Sequence, residues 1–302
     1  MKLLNIITIS LLFFSSAYAQ QDTPNLAEPS KETLQQMYEK RLSELKFETG
    51  EIKLSNGIAN FRLPDGYLWL GQKDARTVIT EIWGNPEDSA TSVLGMIFPR
   101  GQDLHNPDSW AVAVTWEADG YVSDEDANDI DYNELLQTMK EDSREASKQR
   151  EAEGYGKLEL VGWALPPHYD KSKKVMHWAK ELDSGSGENT LNYGIRVLGR
   201  RGVLVLDAIA SMKQVKEVEA LTPELLALTS FNSGHRYEEF DASTDKKSDY
   251  TLAGLVLGGA VGAKLLAKGG ILVLLAKFSK LLIIPIIAGG AWLKNKLTKK
   301  AA

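Results

Sequence analysis

Asp124, Asp126, Asp129, Asp131 and Glu134 crowd one stretch of this chain, and hard cations such as calcium need several oxygen ligands converging from one loop. The stretch departs from the helix-loop-helix calcium pattern, having no central glycine and no glutamate at the twelfth place counted from Asp124. Helix capping and a solvated face account for the same residues, so no metal site is assigned. The histidines are His105, His168, His177 and His235, and no two of them sit at the i, i+4 spacing that seats a metal on one helix face.

In a strand over Lys174 to Leu182, alternation puts Met176 and Trp178 on one face and His177 with Glu181 on the other. If the next strand pairs in register, His177 lies beside Arg196 or Asn192. With Asp170 this makes a His/Asp/Arg constellation in which His177 is the candidate base of an envelope hydrolase or transferase. No nucleophile accompanies it: there is no Gly-x-Ser-x-Gly elbow, and Gly185-Ser186-Gly187 reads as a polar turn. Gly199-Arg200-Arg201-Gly202 offers amides and guanidinium groups to a carboxylate or phosphate, with Arg200 the candidate, or is a hairpin turn with exposed arginines. Trp163, Pro166, Pro167, His168 and Tyr169 form a proline-braced aromatic strip that either lines a groove or packs in a core. No phosphate-cradling motif occurs, and no cofactor is implied.

The elements that must carry these groups are readable from periodicity. Thr33 to Leu45 has helical spacing. Glu51 to Leu54 and Ala59 to Leu63 read as a hairpin turning at Ser55-Asn56-Gly57, and Tyr67 to Leu70 as a short strand. Asp74 caps a helix predicted to run to Trp83, and Asp131 with Glu134 opens another running to about Gln149. Ser92 to Phe98 and Trp110 to Trp116 are strand-like. Lys157 to Ala164, Lys174 to Leu182, Thr190 to Leu198 and Val203 to Ala210 suit an antiparallel meander. A helix from Met212 to Ser230 follows, with Pro223 marking a break. The expected fold class is α+β, a mostly antiparallel sheet with flanking helices, joined to C-terminal membrane-embedded helices.

Both ends are written for a membrane. Lys2, the apolar run Leu3 to Phe14 and the small-x-small pattern Ala17-Tyr18-Ala19 predict a signal peptide over residues 1–19, cleaved before Gln20. A polar leader and helix occupy 20–50, the extracytoplasmic domain 51–249 and a membrane anchor with a basic tail 250–302. The tail has no acid, and its apolar blocks are interrupted by Lys264, Lys268, Lys277 and Lys280. A block of twelve or thirteen helical residues reaches about 20 Å against a hydrocarbon core of about 30 Å, so the lysines must snorkel or face protein, and one crossing and a hairpin both fit. Gly254, Gly258 and Gly262, spaced by four, offer a small-residue face for helix packing.

Charge separates body from tail. Residues 20–249 hold 26 basic against 41 acidic residues, a net charge of −15, whereas the tail carries eight lysines. So acidic a body is a poor partner for nucleic acid or anionic lipid. With no cysteine, there is neither a disulfide framework nor a thiolate metal site.

Several blocks carry a family likeness: Gly120-Tyr121-Val122-Ser123-Asp124-Glu125-Asp126-Ala127, Gly162-Trp163-Ala164 with Pro167-His168-Tyr169-Asp170, His177-Trp178-Ala179-Lys180, and Leu191-Asn192-Tyr193 leading to Arg196 and Gly202. From about Ile58 to the glycine-rich tail the chain closely resembles a bacterial family of membrane-anchored proteins classed as domain of unknown function 2167. The resemblance implies an extracytoplasmic domain on a C-terminal anchor in the cytoplasmic membrane and brings no activity with it. The expected function is a non-enzymatic interaction or envelope-support module whose partners are the bilayer and a membrane or envelope protein.

Overall fold

The four strand patterns after Gly154 become the centre of the fold. In the computed structural model, which describes residues 31–102, 109–185 and 187–258, the chain begins with α1 (Lys31–Glu44), β1 (Phe47–Glu48), β2 (Glu51–Lys53), β3 (Ala59–Arg62), β4 (Tyr67–Gly71) and α2 (Gln72–Thr77). It continues through β5 (Val93–Pro99), β6 (Ala111–Glu117), β7 (Tyr121–Ser123) and α3 (Tyr132–Ala152). The meander β8 (Glu159–Asp170), β9 (Val175–Asp183), β10 (Thr190–Leu198) and β11 (Val203–Ser211) follows, then α4 (Val215–Leu228), β12 (Thr229–Phe231), β13 (Lys247–Thr251) and α5 (Leu252–Val256). The main sheet has eight antiparallel strands in the order β1-β4-β5-β6-β11-β10-β9-β8, and β12-β3-β2 form a smaller sheet. The class is α+β, with helices flanking a large antiparallel sheet.

Both faces of the main sheet are covered, which is why β11 reads as a nearly continuous apolar run, whereas β10 alternates, with Asn192, Gly194 and Arg196 on one face and Leu191, Tyr193 and Ile195 on the other. On the outer face Tyr193, Ile195, Leu204 and Leu206 pack with Phe61 of β3 and with Val218 and Leu225 of α4. The inner face carries two cores. Met176, Trp178, Val203 and Val205 meet Leu135 and Met139 of α3 and Leu252 and Leu255 of α5, while Met96, Ala113 and Ile209 meet Ala75 and Ile79.

Three local expectations change. The helix after Gly71 starts at Gln72 and continues as a π-helical turn over Val78–Ile82. Asp74 caps nothing there: its carboxylate accepts from Lys46 N–H at 3.0 Å and ties the approach to β1 onto α2. Pro223 sits inside a continuous α4, which ends when Thr229–Phe231 leaves to pair with β3.

The segment from Tyr250 belongs to the body as far as Gly258. β13 pairs in parallel with β7, and the Asp126 carboxylate accepts from Thr251 Oγ1 at 2.6 Å and from the Leu252 and Ala253 N–H groups at 3.1 Å. That is a helix cap supplied from far away in sequence, and it pins α5 with Leu252, Leu255 and Val256 buried. The proposed glycine face is broken inside it. A Cβ on Gly254 would lie 2.6 Å from Tyr250 Cβ, and Gly258 ends the helix with φ +106° and its N–H on Leu255 O at 3.2 Å. Gly254 and Gly258 therefore do not share one helix face, and Gly262 lies outside the described residues with the signal segment and the rest of the tail. Among the described residues no helix is long and apolar enough to cross a membrane.

Candidate functional site

β9 places His177 on the outer face, opposite His168 of β8 and Ile195 of β10. The two imidazoles meet edge to face with centroids 5.4 Å apart. His177 Nδ1 lies 2.9 Å from the Tyr193 hydroxyl, and that buried phenol also hydrogen bonds with Thr222 of α4. Burial and the nearby His168 hold the His177 pKa below its ordinary value. A neutral imidazole partnering a buried hydroxyl satisfies the core's polar demand; a general base needs a reacting proton within reach.

Arg196 lies on the other side of the sheet. Ile195, not Arg196, faces His177, and Arg196 is the cross-strand neighbour of Met176, so the expected His177/Arg196 cluster is not assembled. One residue of register decides this, because successive side chains point to opposite faces. Arg196 donates to Asp207 at 2.8 and 3.4 Å and lies over the Trp178 ring at 4.9 Å. These groups converge above Gly194, where an added Cβ would stand 3.2 Å from Asp207 Oδ1 and from Trp178 Cε2, and 3.3 Å from Arg196 Nη1. Next along the same face, Lys180 and Asn192 sit opposite each other, both buried. Loss of water pushes the Lys180 ammonium down to about 8, against the attraction of Asp207. The Glu117 carboxyl, also deprived of water, rises to about 7 despite Arg196.

The remaining sequence candidates are dispersed. Asp170 accepts from the Ser172 hydroxyl at 2.6 Å and from the Ser172 and Lys173 N–H groups, and these bonds, led by the hydroxyl, hold its carboxyl down to about 2. It closes the β8–β9 turn. The aromatic strip divides: Trp163 Nε1 donates to Tyr132 O at 3.2 Å, Tyr169 donates to Asp124 Oδ2 at 2.8 Å, and His168 is exposed. Arg200 and Arg201 both grip Asp245 through Nε, at 2.6 and 2.8 Å, and that carboxylate is fully covered. Arg200 is thus occupied by the chain's own anion, and only Arg201 of the pair is widely exposed.

Sequence reasoning passed over the part Asp124 plays, for it also accepts from Lys174 Nζ at 2.8 Å and Tyr237 Oη at 3.2 Å. Lys174 reaches it from a turn at φ +56°, its ammonium 4.9 Å above the Tyr237 ring. The acidic run is a set of anchors: Asp124 gathers hydroxyls, Asp126 caps α5, and Asp131 caps α3 through Asn133 and Glu134 N–H. Lys180 and Asp207 were also missed, although one acid inside the apolar run Val203–Ala210 was a readable sign that Arg196 had a buried partner. Among the described residues no group of three or more His, Asp or Glu could hold a metal ion. A groove of about 450 Å³ between β2 and β4, lined by Glu48, Lys53, Trp69 and Gln72 among others, contains none of these candidates.

No curated protein matches this chain in sequence. Among solved structures it is similar to cyanobacterial PsbP (CyanoP) from Synechocystis sp. PCC 6803, with a TM-score of 0.33, 12% identity, and 62% of this chain and 92% of that one covered. It is likewise similar to the Saccharomyces cerevisiae Ran-binding protein Mog1p, with a TM-score of 0.33, 11% identity and coverage of 65% and 100%, and to a point mutant of the protein Mog1, with a TM-score of 0.32, 11% identity and coverage of 61% and 95%. A family model described as "Protein of unknown function (DUF2167)" matches residues 46–290, most of the chain, and the protein belongs to that family.

Proposed function

We propose that this chain is an exported, membrane-tethered module that binds or braces another envelope component without catalysing a reaction. The observation that carries this reading is where the polar atoms go. Asp170, His177 and Arg196, the groups offered for catalysis, each hold a partner within the chain and so serve the fold, as do the binding candidates Tyr169 and Arg200. The signal pattern supports export, and the lysine-studded tail supports attachment to the cytoplasmic membrane with the body on its outer side. A body of net charge −15 avoids an anionic lipid surface, which favours a protein partner for it. Because α5 is pinned to the body by Asp126, the tail departs from a fixed point, an arrangement suited to bracing.

The test combines topology with function. In spheroplasts, protease added outside is expected to digest the body while a carbonate-resistant tail fragment stays with the membrane; full-length, unprocessed protein in the cytosol would overturn the export reading. In a strain that depends on the protein, His177→Ala and Asp170→Ala, once shown to accumulate normally, are expected to retain function. Stable but inactive variants would return a catalytic site to this face.

A further inference from the structure

We propose that the inner face of the sheet at Trp178, Lys180 and Asn192 is a binding site for a small monocarboxylate anion. The three side chains come from facing positions of β9 and β10: Lys180 opposes Asn192, and Trp178 opposes Gly194. Trp178 and Asn192 are each 1% exposed and Lys180 7%. Trp178 Nε1 and Asn192 Nδ2 are buried without a hydrogen-bond partner. No described residue hydrogen bonds with the Lys180 ammonium, and Asp207 acts on it only at a distance. Three hydrogen-bond donors thus lie at neighbouring positions of one sheet face with no protein acceptor bonded to them.

Charge selects the acceptor. Asp207 is paired with Arg196 at 2.8 Å and reaches Lys180 only through space, so no carboxylate bonds the Lys180 ammonium directly, and a largely buried charge without a bonded partner is unfavourable. Water can accept from one or two of the donors but brings no charge. A carboxylate brings one negative charge and about four lone-pair positions, enough for the ammonium, the amide and the indole together. A dianion such as hydrogen phosphate would bring one more negative charge than the single ammonium offsets. All three residues have low exposure, so the smallest carboxylates, formate and acetate, are the guests proposed, with Trp163 flanking Lys180 on β8.

The full-length protein in detergent is titrated with sodium formate or acetate, with ionic strength held constant by sodium chloride. The thermal midpoint is expected to rise by roughly 3–6 °C once the carboxylate reaches about tenfold its Kd. Lys180→Met is expected to lose that response and Lys173→Met, in the exposed β8–β9 turn, to keep it. Equal midpoints in chloride and carboxylate, or an undiminished response in Lys180→Met, would overturn the site. Should Lys180→Met fail to fold, wild-type protein labelled with 15N-tryptophan decides: one indole N–H resonance is expected to move saturably with formate. If none moves, the donors hold ordered water alone and the proposal fails.

Discussion

Asp124 is a single carboxylate on which two tyrosines and a lysine converge. Loss of water would raise its pKa, but the bonds from Lys174, Tyr169 and Tyr237 outweigh that cost, and the carboxyl is held below its ordinary value. A depressed carboxylate contributes stability that is present above its unfolded pKa of about 3.9 and is lost as pH falls through the folded value. Asp124→Ala strands three donors and is expected to cost about 2–4 kcal/mol in urea unfolding at neutral pH, with the difference from wild type shrinking in acid. His177 titrates with the opposite chemistry and the same direction. Its native pKa lies below the unfolded 6.5, so the unfolded chain takes the proton first and stability falls as pH drops below about 6.5. His177→Gln keeps an acceptor for Tyr193 and removes the titration. Its urea midpoint is expected to change less between pH 7 and 5 than that of wild type.

At the scale of elements, the strap β13–α5 shows what sequence can and cannot specify. Leu252–Val256 is an apolar run, and such a run reads alike whether it is destined for lipid or for a protein core. Its cap is Asp126, 126 residues earlier, and its strand pairs in parallel with β7, a connection that no hairpin signal announces. Asp126→Ala is expected to cost about 1–2 kcal/mol and to raise amide hydrogen exchange over residues 250–257 before the main sheet responds; uniform loss of protection would count against a separate strap. The meander β8–β11 was legible because short turn-rich links separate strongly β-forming runs. The facing of its side chains was only half legible. Alternation correctly divided His177 from Trp178, but the register between β9 and β10 comes from packing on both faces of the sheet, and it sent Arg196 to Asp207 instead of to His177.

For the molecule as a whole, the inner face of the sheet carries two apolar cores and, among them, a buried polar strip formed by Lys180, Asn192, Arg196 and Asp207. The strip carries a standing cost, because Lys180 is charged at neutral pH and its native pKa of about 8 lies below the 10.5 of an exposed lysine. Between those values the unfolded chain binds more protons than the native one, so stability rises with pH across roughly 8 to 10.5. Below about 8 both states are protonated and this term is flat. The full gain is on the order of 3 kcal/mol, shared with Arg196, which disfavours the ammonium, and Asp207, which favours it. Lys180→Met preserves length and removes the charge. In chloride buffer it is expected to be more stable than wild type at pH 7, with the two urea midpoints converging towards pH 10 after correction for the general alkaline drift in Lys173→Met. A carboxylate bound at Lys180 favours the ammonium form, so saturating formate is expected to shrink the alkaline gain of wild type and leave the variant unchanged. An alkaline gain that persists in Lys180→Met would assign it to another group and remove the strip as the cause.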